Sequence, residues 1–391
     1  MIPESPLDLN DASLRDAAYF SVTDTLVDAE KAMCLSLETT RFASKIAKVE
    51  RFLDRVLSTA EVPFTFVRGR DGSLNTLRSS LATRYFSQLP GFVRQVCALS
   101  SRYIYNERLS AFIAILKDHG LTGQFVDWGP VQRAHETLLP DLKYRSAAEV
   151  FNAIVTDLRR RCRSKSVGEK MRSRRRAADK LHGSCVAYTD KVFDVYKRLL
   201  VLRLEFYYTP ELAHCIDITL AQEDIAHFLA NQRCNAIFAD LVGYIVKTEY
   251  GVSKGIHHHV VLYFDANSRN PYHQEYYGRQ FCDYWEGTIT QGRGEAWNLN
   301  NKKNLHKLDQ LGIKGIGGIR DSDSLLRQNL NERVLGYLCK GDQFFRPAYG
   351  RDFRRLRKGV APKKRRPARP KASGKQKVMV PTETVAVSPL V

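Results

Sequence analysis

Apolar residues recur along this chain with two different periods, and the change of period divides it. Up to about residue 160 they return every three or four positions, the spacing of a helix with one buried stripe. This predicts helices over 42–57, 79–99, 107–117 and 147–161, punctuated by Pro63, Gly69, Gly72, Pro90, Gly120, Gly123 and Pro130. From residue 199 short apolar runs rich in β-branched and aromatic residues take over, and they predict strands. One covers 199–208, with period-2 alternation over Arg203 and Glu205; others cover 241–249 and 255–265. Helical spacing returns over 188–198, 222–233, 273–288 and 325–340.

The order β-α-β-β-α, with a central antiparallel hairpin, predicts an α+β fold whose sheet carries helices mainly on one face. The division follows: a helical accessory domain over 1–158, a basic linker over 159–184, the α+β domain over 185–356 and a basic tail over 357–391. The tail is low in complexity and is expected to be disordered.

Composition adds a partner class. The 391 residues are 43% hydrophobic, enough for a packed core in each of two domains, yet the formal net charge is +19. Such an excess calls for an anionic polymer. It is concentrated in runs such as Lys170-Met-Arg-Ser-Arg174-Arg175-Arg176, which suit a solvated linker or helix face and equally a phosphate backbone. No stretch reaches the length of a membrane span, and the first residues lack a signal-peptide layout. The eight cysteines have no CxxC pairing, which suggests reduced thiols. The expectation is a cytoplasmic protein with no membrane partner.

Candidate chemistry begins at Gly255-Ile-His257-His258-His259. Side chains alternate along a strand, so His257 and His259 project together and His258 points away. Three consecutive histidines also permit a register slipped by one residue, which would exchange the ligand face for the core face. Glu249 ends the preceding strand and comes near His257 if the hairpin closes around Val252 and Ser253. One carboxylate and two imidazoles suit Mg²⁺ or Mn²⁺ with positions left open for phosphate and water. Further on, Tyr337-Leu-Cys-Lys340 puts a phenol and an ammonium on one helical face, at i and i+3. A metal-polarised phosphodiester and a neighbouring ammonium would help a phenol act as nucleophile.

Together the HxH strand and the downstream YxxK helix resemble the HUH superfamily of single-strand endonucleases, where U is a hydrophobic residue. More narrowly, 188–355 resembles the YagK/YfjJ C-terminal domain family of inovirus-type, plasmid- or prophage-borne replication initiators. The residues that carry the likeness are Leu200-Val-Leu-Arg-Leu-Glu-Phe-Tyr207, Lys247-Thr-Glu-Tyr-Gly251, Lys254-Gly-Ile-His-His-His259, the helix with Trp285, Leu335-Gly-Tyr-Leu-Cys-Lys340 and Ala348-Tyr-Gly-Arg351. It departs from the pattern at His258, where relatives carry an apolar residue.

The resemblance implies a ferredoxin-like HUH domain that starts rolling-circle replication. Tyr337 would attack single-stranded origin DNA and stay joined to the 5′ phosphate. His257, His259 and Glu249 would hold the metal, and Lys340 would offset developing charge. A host polymerase and helicase would be partners, since the chain has no GxxxxGK[ST] phosphate loop. Arg351, Arg354 and Arg355, with Arg174, Arg175 and Arg176, are candidate phosphate contacts. Two alternatives are a DNA-binding regulator that retains the fold without catalysis and a single-tyrosine transposase.

Overall fold

The computed structural model describes residues 48–99, 103–122, 127–139, 145–213, 215–251, 255–340, 345–348 and 354–363. The N-terminal part is mainly helical, as its spacing predicts. A helix over 48–58 packs with α1 (Leu89–Cys97), α2 (Glu107–Asp118) and α3 (Ala147–Cys162). Phe52 sits among Tyr85, Phe92, Phe112 and Phe151, with ring centroids 5.3 to 6.4 Å apart. Ser146 and Glu149 form a capping box that starts α3.

The basic segment 159–184, read from composition as a linker, is helical. Helix α3 continues to Cys162, and α4 (Lys165–Val195) then runs for 31 residues, capped by Ser164. Arginine, lysine and alanine are good helix formers, and Arg174 ties α4 to Glu107 at the start of α2. At 1.5 Å per residue α4 is about 45 Å long.

A six-stranded antiparallel sheet follows. Its strands are β1 (Arg198–Tyr208), β2 (Leu241–Gly251), β3 (Gly255–Asp265), β4 (Gly294–Asn298), β5 (Gly317–Arg320) and β6 (Leu356–Lys358). The order is β5-β1-β3-β2-β6, and β4 also pairs with β1, beside residues 204–208. Helices α5 (Ile218–Ala230), α6 (Gln274–Asp283), α7 (Lys302–Gln310), α8 (Ser324–Asn329) and α9 (Gly336–Lys340) complete the domain. Wide π turns over Leu330–Leu335 join α8 to α9.

Sequence periodicity found the three long strands and overlooked the three short ones. Strands β4 to β6 are too short, and too polar or glycine-containing, to carry an alternation signal. Strand β6 also crosses the expected boundary between domain and tail at 356/357. The tail beyond 363 lies outside the described residues.

Helices cover both faces of the sheet, not mainly one as expected. Leu200, Leu202, Leu204 and Phe206 pack against Ile225 and Phe228 of α5, Phe281 of α6, and Trp285. Leu199, Val201, Val261 and Tyr263 pack against Tyr188, Val192 and Phe193 of α4, and against Leu330, Val334 and Leu338. The cause lies in the runs Leu199-Leu-Val-Leu202 and Val260-Val-Leu-Tyr-Phe264, apolar at every position and therefore buried on both sides. Among the described residues no helix is long and apolar enough to cross a membrane, and the seven described cysteines are free thiols.

Candidate metal centre

The α4 face of the sheet changes character halfway along its strands. Leu199, Val201, Ile245, Val261 and Tyr263 give way to Arg203, Glu205, Lys247, Glu249, His257 and His259. The ladders fix which side chains meet. Glu205 is the β1 partner of His259, Lys247 is the β2 partner of the same histidine, and Glu249 is the partner of His257. Partners in an antiparallel ladder share a face. Glu205, Lys247, Glu249, His257 and His259 therefore form one polar group.

Gly255 delivers the chain into this strand. Its φ of +62° favours glycine, and a Cβ there would lie 1.8 Å from the carbonyl oxygen of Ala213. The slipped register is excluded. His258 faces the opposite core, where its Nδ1 pairs with the Thr248 hydroxyl at 2.9 Å and its ring meets Trp285 edge-on at 5.6 Å. Burial, with positive charge nearby, pushes its pKa down to about 3, so it is a neutral packing residue.

The rings of His257 and His259 lie 4.9 Å apart and nearly perpendicular. Ligand atoms of Glu205, His257 and His259 all fall within 4.8 Å of one another, and the three residues are buried. This group could hold a metal ion. His257 Nδ1 must donate to the Gly255 carbonyl at 3.2 Å, since a carbonyl only accepts, and the ring's lone pair is then on Nε2. A carboxylate with two imidazoles leaves coordination positions open and is not a closed structural zinc set.

Sequence reasoning paired the histidines with Glu249. The structure does bring Glu249 to His257, as the hairpin implied, but the compact three-ligand group takes Glu205. Glu249 stands beside it, with Oε2 3.3 Å from His259 Nε2 and Oε1 3.9 Å from the Lys247 ammonium. Burial would raise its pKa. The His259 hydrogen bond and the charges of His259, Lys247 and His257 outweigh that and hold it down to about 2. The missed signal was the charge at Arg203 and Glu205 within a strand whose positions 199–202, 204 and 206 are all apolar. Both residues are at most 3% exposed.

Helix α9 closes the site. The half-buried Tyr337 ring lies edge-on to His259 at 5.6 Å, and the Arg203 guanidinium sits 5.2 Å from its centroid. A second tyrosine on this face is Tyr207. Burial first, then the Glu205, Glu295 and Glu286 carboxylates, push its phenol pKa upward. Lys340 ends α9 one turn beyond Tyr337, and the placement of its side chain lies outside what is described.

The candidate phosphate contacts separate into three groups. Arg174 is half-buried in an ion pair with Glu107 at 3.1 Å and also bonds the Tyr105 carbonyl, so it fastens α4 to α2. Arg175 and Arg176 are on the exposed side of α4, Arg175 with Asp179 4.0 Å away. Arg354 is exposed, and Arg355 accepts the Thr248 backbone N–H through its carbonyl, next to the strand that carries Glu249. Arg351 lies outside the described residues.

Comparison with family models, curated proteins and solved structures returned no match to this chain.

Proposed function

We propose that this chain is a metal-dependent single-strand DNA endonuclease and strand transferase of the HUH type, acting in rolling-circle replication. The observation that carries the reading is the meeting of Tyr337 with the Glu205/His257/His259 group. A nucleophile-bearing residue on a helix stands 5.6 Å, ring to ring, from one of two imidazoles that share a carboxylate. The YxxK and HxH motifs support it from sequence, as does the +19 charge. A ferredoxin-like HUH topology belongs to the same proposal.

Glu205, His257 and His259 would hold Mg²⁺ or Mn²⁺, which supplies Lewis-acid polarisation of the scissile phosphate when bound. The Tyr337 oxygen attacks phosphorus, and the bond from phosphorus to the 3′ oxygen breaks. The phenol proton ends on that 3′ oxygen, leaving a free 3′ hydroxyl and a 5′-phosphotyrosine. Arg203, beside the ring, favours negative charge on the phenol oxygen, a role sequence alone gave to Lys340. Attack by a 3′ hydroxyl reverses the step, and the phosphotyrosine conserves the bond energy for rejoining. A host polymerase would extend the released 3′ end behind a host helicase. The reading is tested by incubating the full chain with single-stranded DNA and Mn²⁺. A covalent adduct that survives detergent supports it, whereas DNA binding without an adduct in any metal favours the regulator.

A further inference from the structure

A cleft of about 550 Å³ opens where α6, β4 and the start of α7 meet. Two large aromatic side chains stand on its rim in water. Tyr272 is 90% exposed just before α6, and Tyr276, the third residue of α6, is 61% exposed. The Tyr276 ring meets Tyr277 at 5.8 Å, and its hydroxyl accepts from Gln280 Nε2 at 3.3 Å. His273, Arg279 and Lys302 line the same cleft. Glu275, the acidic residue of the lining, accepts the Lys302 backbone N–H at 3.3 Å, and Arg279 pairs at 2.7 Å with Asp283, which lies outside the lining.

Trp297 connects this cleft to the candidate centre. It lines the cleft and is the β4 partner of Glu205, so the two side chains share the face that carries His259. Its indole N–H has no acceptor among the described residues. Strand β4, which lines the cleft, is thus the neighbour of the strand that carries Glu205.

We propose that this cleft binds a stretch of single-stranded DNA, its bases stacked on Tyr272 and Tyr276 and its phosphates beside Arg279 and Lys302. Exposed aromatic faces interleaved with cations suit bases and phosphates in alternation, and stacking is tolerant of sequence. A cleft of this size takes one or two nucleotides. The identity of the polymer rests on the proposed function; the placement of the binding surface does not.

The test uses the full chain carrying Tyr337→Phe, so that binding is read without cleavage, and fluorescent oligo(dT) as probe. Tyr272→Ala with Tyr276→Ala is expected to weaken binding roughly 10- to 100-fold, because each base–aromatic stack is lost. The Tyr272→Phe and Tyr276→Phe pair, which keeps both rings, is expected to bind as the parent does. Lys302→Gln is expected to lower the salt slope by about one. Unchanged affinity of the alanine pair overturns the cleft. If that pair still forms the Tyr337 adduct when Tyr337 is intact, the nuclease reading survives that result. The converse, affinity lost in the alanine pair with no adduct from any variant, keeps the cleft and removes the nuclease. A parent chain that binds no single strand removes both.

Discussion

Glu205 faces His259 across the β1–β3 ladder, and the two share their side of the sheet with His257. Glu249, by contrast, is the partner of His257 and reaches His259 through a 3.3 Å contact. The two carboxylates should therefore differ in what they do for a bound ion. Glu205→Gln is expected to weaken Mn²⁺ binding by more than about 100-fold, the cost of losing a ligand. Glu249→Gln is expected to cost about 10-fold, as for a group that orients a ligand. Titration calorimetry of each variant with Mn²⁺ checks this, and the reverse ranking would return Glu249 to the ligand set.

Arg203 is 3% exposed, and its guanidinium lies 5.2 Å from the Tyr337 centroid. Its loss should slow adduct formation far more than it weakens DNA binding. Arg203→Met is expected to slow the covalent step roughly 100-fold, and Arg203→Lys to recover part of that. Single-turnover rates at saturating DNA separate the two effects. Equal losses in rate and affinity would mean that Arg203 is only a DNA contact.

The long strands, the pairing of His257 with His259 and the nearness of Glu249 were legible because each rests on a period or a short turn. Tyr337 was legible as a motif, but its meeting with His259 spans nearly eighty residues and no local pattern encodes it. Glu205 was hidden for another reason. Its partner is fixed by the pairing of β1 with β3, which periodicity cannot supply, so the nearer carboxylate across the hairpin took its place. The basic stretch left linker and helix face undecided, because lysine and arginine suit both equally well. The helices on both faces were written in the uniformly apolar runs at 199–202 and 260–264, where one-sided burial would require alternation.

Stability should depend on pH through a residue of the N-terminal helix over 48–58. Glu50 is 3% exposed, and Asn106 Nδ2 donates to it at 2.7 Å. Burial, opposed by that hydrogen bond and by Arg108, pushes its pKa up from 4.5 to about 7. A carboxyl with a raised folded pKa stabilises the fold most below its unfolded value, and the benefit is lost as pH climbs towards 7. Glu50→Gln keeps an acceptor for Asn106 and cannot ionise. It is expected to raise stability at pH 8 by up to about 3 kcal/mol and to change little at pH 4. Denaturant melts at the two pH values check this; a constant difference would mean that Glu50 does not titrate in this range.

The most direct measurement is the mass of the peptide that contains Tyr337 after reaction with single-stranded DNA and Mn²⁺. A nucleotide mass should appear on that tyrosine, vanish with chelator or Tyr337→Phe, and fall sharply with His257→Ala. No modified peptide in any divalent metal, or an adduct that persists in Tyr337→Phe, would contradict the assignment of Tyr337 as the nucleophile of this centre.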